Sequence, residues 1–293
     1  MVLDAAFFDT LSHLRLAMSH KSSMNMTGSR KSVQKGSSAE FSDFREYMPG
    51  DDIRRIDWNA YGRLDRLYVK EYLEEKEAVV SVLIDTSASM DYGAKKKSEL
   101  ACRLAAAMAY LGLNNMDRVI VYDARRMQSP FVARGGKQAL PHLANWLEQC
   151  SFAEKVDMAE AVGKLPVKGS GVTILISDFL QEAFLNKDRE TVEQLLHLLA
   201  YRKQKAVLLH VLAGEELSVG FTGTRNLIDM EEGTRLQVTM DAAGIGMYER
   251  ALQDVISYLE RECAAAGAFY GVCNTERDFR QLIFQDLRML YDI

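Results

Sequence analysis

The 293-residue chain is 48% hydrophobic and carries a net charge of −5. That supplies apolar material for one large or two modest cores, and without a basic field nothing points to nucleic acid as the main partner. The four cysteines, Cys102, Cys150, Cys263 and Cys273, stand far apart with no Cys-x-x-Cys or Cys/His ligand spacing, which argues against zinc and for a reducing, cytoplasmic setting.

The first residues carry Asp4 and Asp9 and no basic stretch ahead of an apolar core, so they do not read as a signal peptide. No apolar run approaches the roughly 20 residues of a membrane span. Leu3, Phe7, Leu11, Leu14 and Met18 recur at threes and fours, predicting a short amphipathic helix over 3–19. Residues 10–39 hold five bases (Arg15, Lys21, Arg30, Lys31, Lys35) and no acid, and read as a basic loop. Residues 40–77 mix charges with aromatics. Pro49-Gly50 predicts a turn. Asp51 or Asp52 is expected to pair with Arg54 or Arg55. Ile53, Ile56 and Trp58 are expected as an apolar anchor, with Trp58 largely buried, and Leu67 to Tyr72 look strand-like. The expected organisation is a segment 1–77 packed on the core and an α/β domain over 78–293.

From residue 78 the pattern is regular. An apolar run at 79–85 leads into a helix near 96–114, with Leu100, Leu104, Met108 and Leu111 on one face. A strand at 117–123, a short strand near 129–133, and helices over 137–149 and 157–164 follow. Then come strand 172–177, helix 188–202 and strand 205–212. A predicted β-hairpin near 224–241, around Glu232-Gly233, breaks the rhythm. A helix over 245–266, a strand over 268–273 and a helix over 276–290 complete the chain. This alternation predicts an α/β fold, a mostly parallel sheet with helices on both faces.

Two strand ends carry acids. The run VSVLIDTSASM stops at Asp85, with Ser87 and Ser89 following at spacings of two. The run VTILIS stops at Asp178. Open α/β sheets place ligands just beyond the carboxyl ends of their strands. One carboxylate and two hydroxyls on a short loop suit Mg²⁺, which prefers oxygen ligands and keeps several waters. The same groups could instead cap the next helix. If the two strands are neighbours, the paired carboxylates repel unless a cation or base neutralises them.

This pattern, an apolar strand ending in Asp-x-Ser-x-Ser and a later one ending in Ser-Asp, resembles the metal-ion-dependent adhesion site of von Willebrand factor A domains. The stretch Tyr47 to Trp58, Tyr-x-Pro-Gly-Asp-Asp-x-Arg-x-Ile-Asp-Trp, is similar to the signature of a bacterial domain-of-unknown-function family numbered 58. The resemblance covers roughly residues 28–292 and implies a von Willebrand A-like, Rossmann-like fold. It also implies Mg²⁺ or Mn²⁺ held by Asp85, Ser87 and Ser89, with Asp178 acting directly or through water. The threonine usual in such sites aligns with Val156, which offers no oxygen; Asp157, one residue on, is the substitute. Members of this family are often encoded beside MoxR-type AAA+ ATPases. The resemblance therefore implies a non-enzymatic adaptor acting with such an ATPase in chaperone-like remodelling or maturation of a client protein. A partner's carboxylate would complete the ion's shell.

The main alternative is a metal-dependent phosphohydrolase using Asp85. Haloacid-dehalogenase-type chemistry needs a second Asp two residues after the first, and position 87 is Ser. Gly135-Gly136-Lys137 lacks the spacing and hydroxyl of a phosphate loop, the five histidines form no metal motif, and no Gly-x-Ser-x-Gly elbow occurs. His210, inside a predicted strand, reads as a core or edge residue.

Overall fold

The structure is a computed structural model that describes residues 8, 11, 14–16, 40–73, 78–167, 169–181, 184, 189–228, 230–231 and 233–292. Most of the expected basic loop lies outside these residues. The strands, in chain order, are β1 (Arg15–Leu16), β2 (Glu40–Glu46), β3 (Tyr68–Leu73), β4 (Val79–Ile84), β5 (Arg118–Asp123) and β6 (Phe131–Arg134). They continue with β7 (Gly171–Ser177), β8 (Gln204–Leu212), β9 (Gly223–Ile228), β10 (Arg235–Met240), β11 (Phe269–Asn274) and β12 (Tyr291–Asp292). The α-helices of four or more residues are α1 (Trp58–Leu64), α2 (Lys97–Asn114), α3 (Leu140–Glu148) and α4 (Met158–Lys164). After them come α5 (Arg189–Tyr201), α6 (Gly214–Leu217) and α7 (Ala242–Ala265).

Chain contacts divide the protein into two compact units, residues 1–22 with 78–293, and residues 23–77. The larger unit is built on a six-stranded sheet of order β11-β8-β7-β4-β5-β6. All neighbours are parallel except the edge pair β5–β6. The chain grows from β4 outward through β5 and β6, then returns to the other side of β4 with β7, β8 and β11. The reversal falls between β4 and β7, so the crevice at their carboxyl ends is the topological switch point.

Strand alternation explains the two apolar layers. Val80, Val82 and Ile84 of β4, with Val172, Ile174 and Ile176 of β7, join one core with α2 and α3. Leu83 and Leu175 join the other, with residues of α4, α5 and α7. Helix α2 approaches the sheet closely because Gly112 has no side chain; a Cβ there would lie 2.8 Å from Val119 Cγ2 and 3.1 Å from Val80 Cγ2. The expected alternation is therefore present, and the hairpin near 224–241 is the antiparallel pair β9–β10. Two expectations need correction. The N-terminal segment is not helical through residue 19: Arg15–Leu16 form β1, paired with β12. Leu11 and Leu14 are buried in the α2-side core, which is why residues 1–22 group with the sheet unit. The single helix expected over 276–290 is a short α-turn, a π-helical turn at Leu282–Asp286 and a 3₁₀ turn.

In the smaller unit β2 pairs antiparallel with β3. Met48 to Asp51 form a turn closed by Asp51 N–H to Met48 O at 3.0 Å, with Gly50 at φ +110°. The ring of Pro49 fixes its own φ just before Gly50, and only glycine takes that positive φ without strain, as a type II turn requires. Asp51 pairs with Arg45 at 2.9 Å rather than with Arg54; the Arg55 side chain lies outside the described residues. The Arg45 guanidinium and the Met48 N–H hold Asp51 below the usual carboxylate range. Asp52 caps a 3₁₀ turn by accepting the Arg54 N–H. Trp58 is 63% exposed rather than buried, its ring edge-on to Tyr61 at 6.3 Å. Asp57 caps α1 and so makes Trp58 the first helical residue. The anchor is Ile56 instead, buried and bridged to Val69. Trp58→Ala is therefore expected to cost under about 1 kcal/mol, the scale of one exposed aromatic pair. Ile56→Ala should cost about 2 kcal/mol or more. Urea unfolding followed by circular dichroism compares the two.

Candidate functional site

Parallel pairing of β4 with β7, Ile84 opposite Ile176, carries Asp85 and Asp178 to the same end of adjacent strands. The Asp85 N–H donates to Ile176 O at 2.9 Å and continues the ladder into the first loop. Both carboxylates are buried. Period-two alternation places Asp178 on the α2 side, with Ile174 and Ile176, and turns Asp85 toward the opposite layer with Ser177.

Asp85 is held on both oxygens. Oδ1 accepts the Ser87 N–H at 2.9 Å, and Oδ2 accepts the Ser177 hydroxyl at 2.5 Å. Thr86, the residue between, donates its hydroxyl to Asp123 Oδ1 at the end of β5. Asp123 also accepts the N–H groups of Arg125 and Arg126, so a third strand-end acid fastens the loop. Burial first, then the charge of Asp178, push Asp85 up to about 6; the bonds from Ser177 and Ser87 oppose this.

Ser87 Oγ and Ser89 Oγ lie 3.0 Å apart. The Ser87 hydroxyl draws the Asp85 carboxyl down, and Ser89 draws the Asp178 carboxyl down. The result is a short chain of oxygen groups, from Asp85 through Ser87 and Ser89 to Asp178, at the ends of β4 and β7. Adjacent ligands around an octahedral Mg²⁺, at Mg–O distances near 2.0–2.1 Å, are about 3 Å apart. These groups offer the hard oxygens a small divalent ion prefers, and the Ser87–Ser89 separation matches two adjacent ligand positions. Among the described residues no group of three or more His, Cys, Asp or Glu forms a metal cluster; this set relies on hydroxyls for half its donors.

The third loop departs from the expectation. Val156 is buried in the α4-side core. Asp157 is the N-cap of α4, its Oδ1 accepting the Glu160 N–H at 2.9 Å. The structure brings Asp157 into helix capping rather than into the hydroxyl chain. Gln181 links this loop to the site: its Oε1 accepts the Met158 N–H at 3.1 Å, and its Nε2 reaches Asp85 Oδ2 at 3.5 Å.

Lys97 is the residue sequence reasoning missed. It is 1% exposed, and its Nζ lies 2.8 Å from Asp178 Oδ2 and 2.6 Å from Glu216 Oε1. Its neighbours in the triple-lysine run do what surface lysines do: Lys95 meets Glu276 and Lys96 meets Asp91, all exposed. The signal was present, since Lys97 precedes Leu100 by three and Leu104 by seven, on the buried stripe of α2. Burial pushes the Lys97 ammonium down, but Asp178 and Glu216 together outweigh it and raise it above its ordinary value. Burial pushes Asp178 up, yet Lys97, the Leu180 N–H and Ser89 hold it below the usual range. For Glu216 burial wins over Lys97, and the group is raised.

His210, buried in β8, bonds the Tyr270 hydroxyl at 2.6 Å and is pushed down to about 4 by burial. The thiols of Cys102, Cys150 and Cys263 are raised to about 12, again by burial first.

A doubly wound sheet with an Asp-x-Ser-x-Ser loop and a second acid at its switch point defines a von Willebrand A-like domain. The chain belongs to the family described as "Protein of unknown function DUF58", whose model matches residues 43–254. It is similar to Uncharacterized protein Rv1480 of Mycobacterium tuberculosis, 27% identical over 276 residues, covering 91% of this chain and 84% of that protein. Uncharacterized protein Mb1516 of Mycobacterium bovis shows the same identity and coverage. Among solved structures it is similar to the conserved hypothetical protein BatB from Bacteroides thetaiotaomicron, with 16% identity and a TM-score of 0.40 over 73% of this chain and 98% of that one. An aerotolerance-related membrane protein from Bacteroides fragilis gives 14% identity and a TM-score of 0.38 over 72% and 99%. Among the described residues of the present chain, no helix is long and apolar enough to cross a membrane.

Two outcomes follow from the electrostatics. The folded state holds a proton on Asp85 more tightly than the unfolded chain does, so Asp85 lowers stability as pH rises from about 4 to 6. Asp85→Asn is expected to raise stability by about 1–3 kcal/mol at pH 8 in chelator and to flatten that pH window. The Ser177 hydroxyl can turn to accept from the new amide. Urea titrations across pH measure this. Lys97→Met leaves the buried carboxylate of Asp178 and the half-buried one of Glu216 without their cation and is expected to cost roughly 3–5 kcal/mol, read in the same titrations.

Proposed function

We propose that this protein is a non-enzymatic interaction protein of the cytoplasm that docks an acidic side chain of a partner at the β4–β7 switch point with the help of Mg²⁺ or Mn²⁺. The observation that carries the reading is the chain Asp85, Ser87, Ser89, Asp178. It is an oxygen-rich set at the strand ends where α/β sheets take ligands, with Asp85, Ser87 and Asp178 buried. When bound, the ion supplies a concentrated positive charge with positions open to an outside carboxylate. The chain's own residues then have defined tasks. Asp85 and the two serines present oxygens, Ser177 and the Ser87 N–H orient Asp85, and Asp123 with Thr86 fixes the loop. Val156 contributes no oxygen, which keeps the protein's share of ligands small and leaves more of the shell to a partner.

Family membership together with the signature segment supports a role beside a MoxR-type AAA+ ATPase, in chaperone-like remodelling or maturation of a client protein. In this reading the domain selects or presents the client and the ATPase supplies the work.

The test is binding of the purified MoxR-type ATPase from the same host, by titration calorimetry with Mg²⁺ and with chelator. Asp85→Ala and the pair Ser87→Ala/Ser89→Ala are each expected to weaken association about tenfold or more, with the fold intact by circular dichroism. Equal affinity in Mg²⁺ and in chelator overturns the metal-dependent reading. Phosphate-ester turnover that disappears in Asp85→Asn would replace it with a hydrolase.

A further inference from the structure

We propose that Lys97 is a built-in counter-ion that competes with a divalent cation for Asp178, so that cation occupancy and the Lys97–Asp178 contact oppose each other. The inference rests on the metal reading above and concerns what sets the affinity of that site.

Lys97 occupies a place that favours anions. It is the first residue of the 18-residue helix α2. Unpaired N–H groups and the helix dipole make such a position unfavourable for a cation. Buried lysines are rare unless paired. Here the compensation is explicit, with Asp178 Oδ2 at 2.8 Å and Glu216 Oε1 at 2.6 Å. Asp178 is thereby engaged on both oxygens, since Oδ1 accepts the Leu180 N–H at 3.2 Å. A divalent ion drawing on the same carboxylate would meet the ammonium across a single group, in a water-poor setting where like charges repel strongly.

Glu216 gives the lysine a second acceptor. Its Oε2 accepts the Ala213 N–H at 2.8 Å, which anchors the side chain at the end of β8. An ammonium displaced from Asp178 can therefore stay paired within the fold. With Glu216 in place the site trades one cation for another at Asp178; without it the lysine has Asp178 alone.

The probe is Mn²⁺, titrated into the whole chain by calorimetry and by the loss of the free-ion electron paramagnetic resonance signal, with folding checked by circular dichroism. The variant is Lys97→Met/Glu216→Leu, which removes one positive and one negative charge together and leaves Asp178 without its lysine. It should bind Mn²⁺ about tenfold more tightly than wild type or better. Glu216→Gln, which leaves Lys97 to Asp178, should bind several-fold more weakly than wild type. A folded double variant with wild-type or weaker affinity overturns the proposal. Should the double variant fail to fold, Glu216→Gln decides: weaker binding supports the proposal, and unchanged or tighter binding overturns it. A wild type that binds no Mn²⁺ beside a double variant that does supports the counter-ion role and refutes the metal reading for the native chain. Binding in neither wild type nor any folded variant refutes both.

Discussion

A buried ammonium between the buried carboxylate of Asp178 and the half-buried one of Glu216 governs the carboxyl edge of this sheet. Asp85, Asp178 and Glu216 converge at one end of the larger unit, and three anions in that space would repel one another without a cation among them. Lys97 supplies one charge of the required sign and joins four pieces of chain: the start of α2, the ends of β7 and β8, and α6. A buried ion pair of this kind adds little net stability over an apolar substitute, but breaking it is costly. Its effect is to fix which carboxylate is charged. Asp178 is held ionised by Lys97, whereas Asp85, bonded to serines and facing Asp178, is pushed toward its neutral form. Two carboxylates at one strand edge thus acquire different properties from their partners alone.

The sheet topology explains why the groups meet where they do. β4 and β7 are neighbours only because the chain reverses its direction of growth between them. At such a reversal the crossovers lead away to opposite sides, which is where α/β sheets take their ligands. The loop after β4 is kept in shape from three sides: Thr86 with Asp123, Ser87 with Asp85, and Ala88 N–H with Glu154 O at 2.9 Å. A loop fixed in this way presents its hydroxyls with little loss of conformational entropy on binding. Rigid first-loop oxygens and a second carboxylate shared with a lysine make a site in which the protein both offers and withholds charge.

The smaller unit follows a different physical logic. Its signature stretch is a sequence of local devices: a Pro-Gly turn, an Asp cap on a 3₁₀ turn, and a second Asp cap on α1. Arg45 with Asp51 and Arg66 with Glu46 add ion pairs to the ribbon of β2 and β3. Several of its residues answer a backbone requirement, Ile56 is buried, and its other large apolar groups Met48, Ile53 and Trp58 remain exposed. Aromatic content alone pointed to burial there; cap geometry decided otherwise.

The sequence by itself determined what depends on short-range periodicity. Continuous apolar runs marked the parallel strands, threes and fours marked α2, and Glu232-Gly233 between NLIDM and RLQVTM marked the β9–β10 hairpin. The two acidic strand ends were legible for the same reason, since an apolar run that stops at Asp85 or Asp178 places its acid at the end of a strand. Tertiary structure decided what depends on partners distant in the chain. Lys97 sits in a run of three lysines, and only the packing of α2 on the sheet separates the one that is buried from the two that are solvated. Glu216 lies 119 positions from Lys97 and meets it because β8 ends beside β7. Asp157 had the composition of a ligand, but the N–H of Glu160 lay within reach and claimed its carboxylate for the helix. Local pattern follows from backbone geometry, which each residue carries with it. Charge balance in a buried site is a sum over neighbours, and the neighbours exist only once the chain has folded.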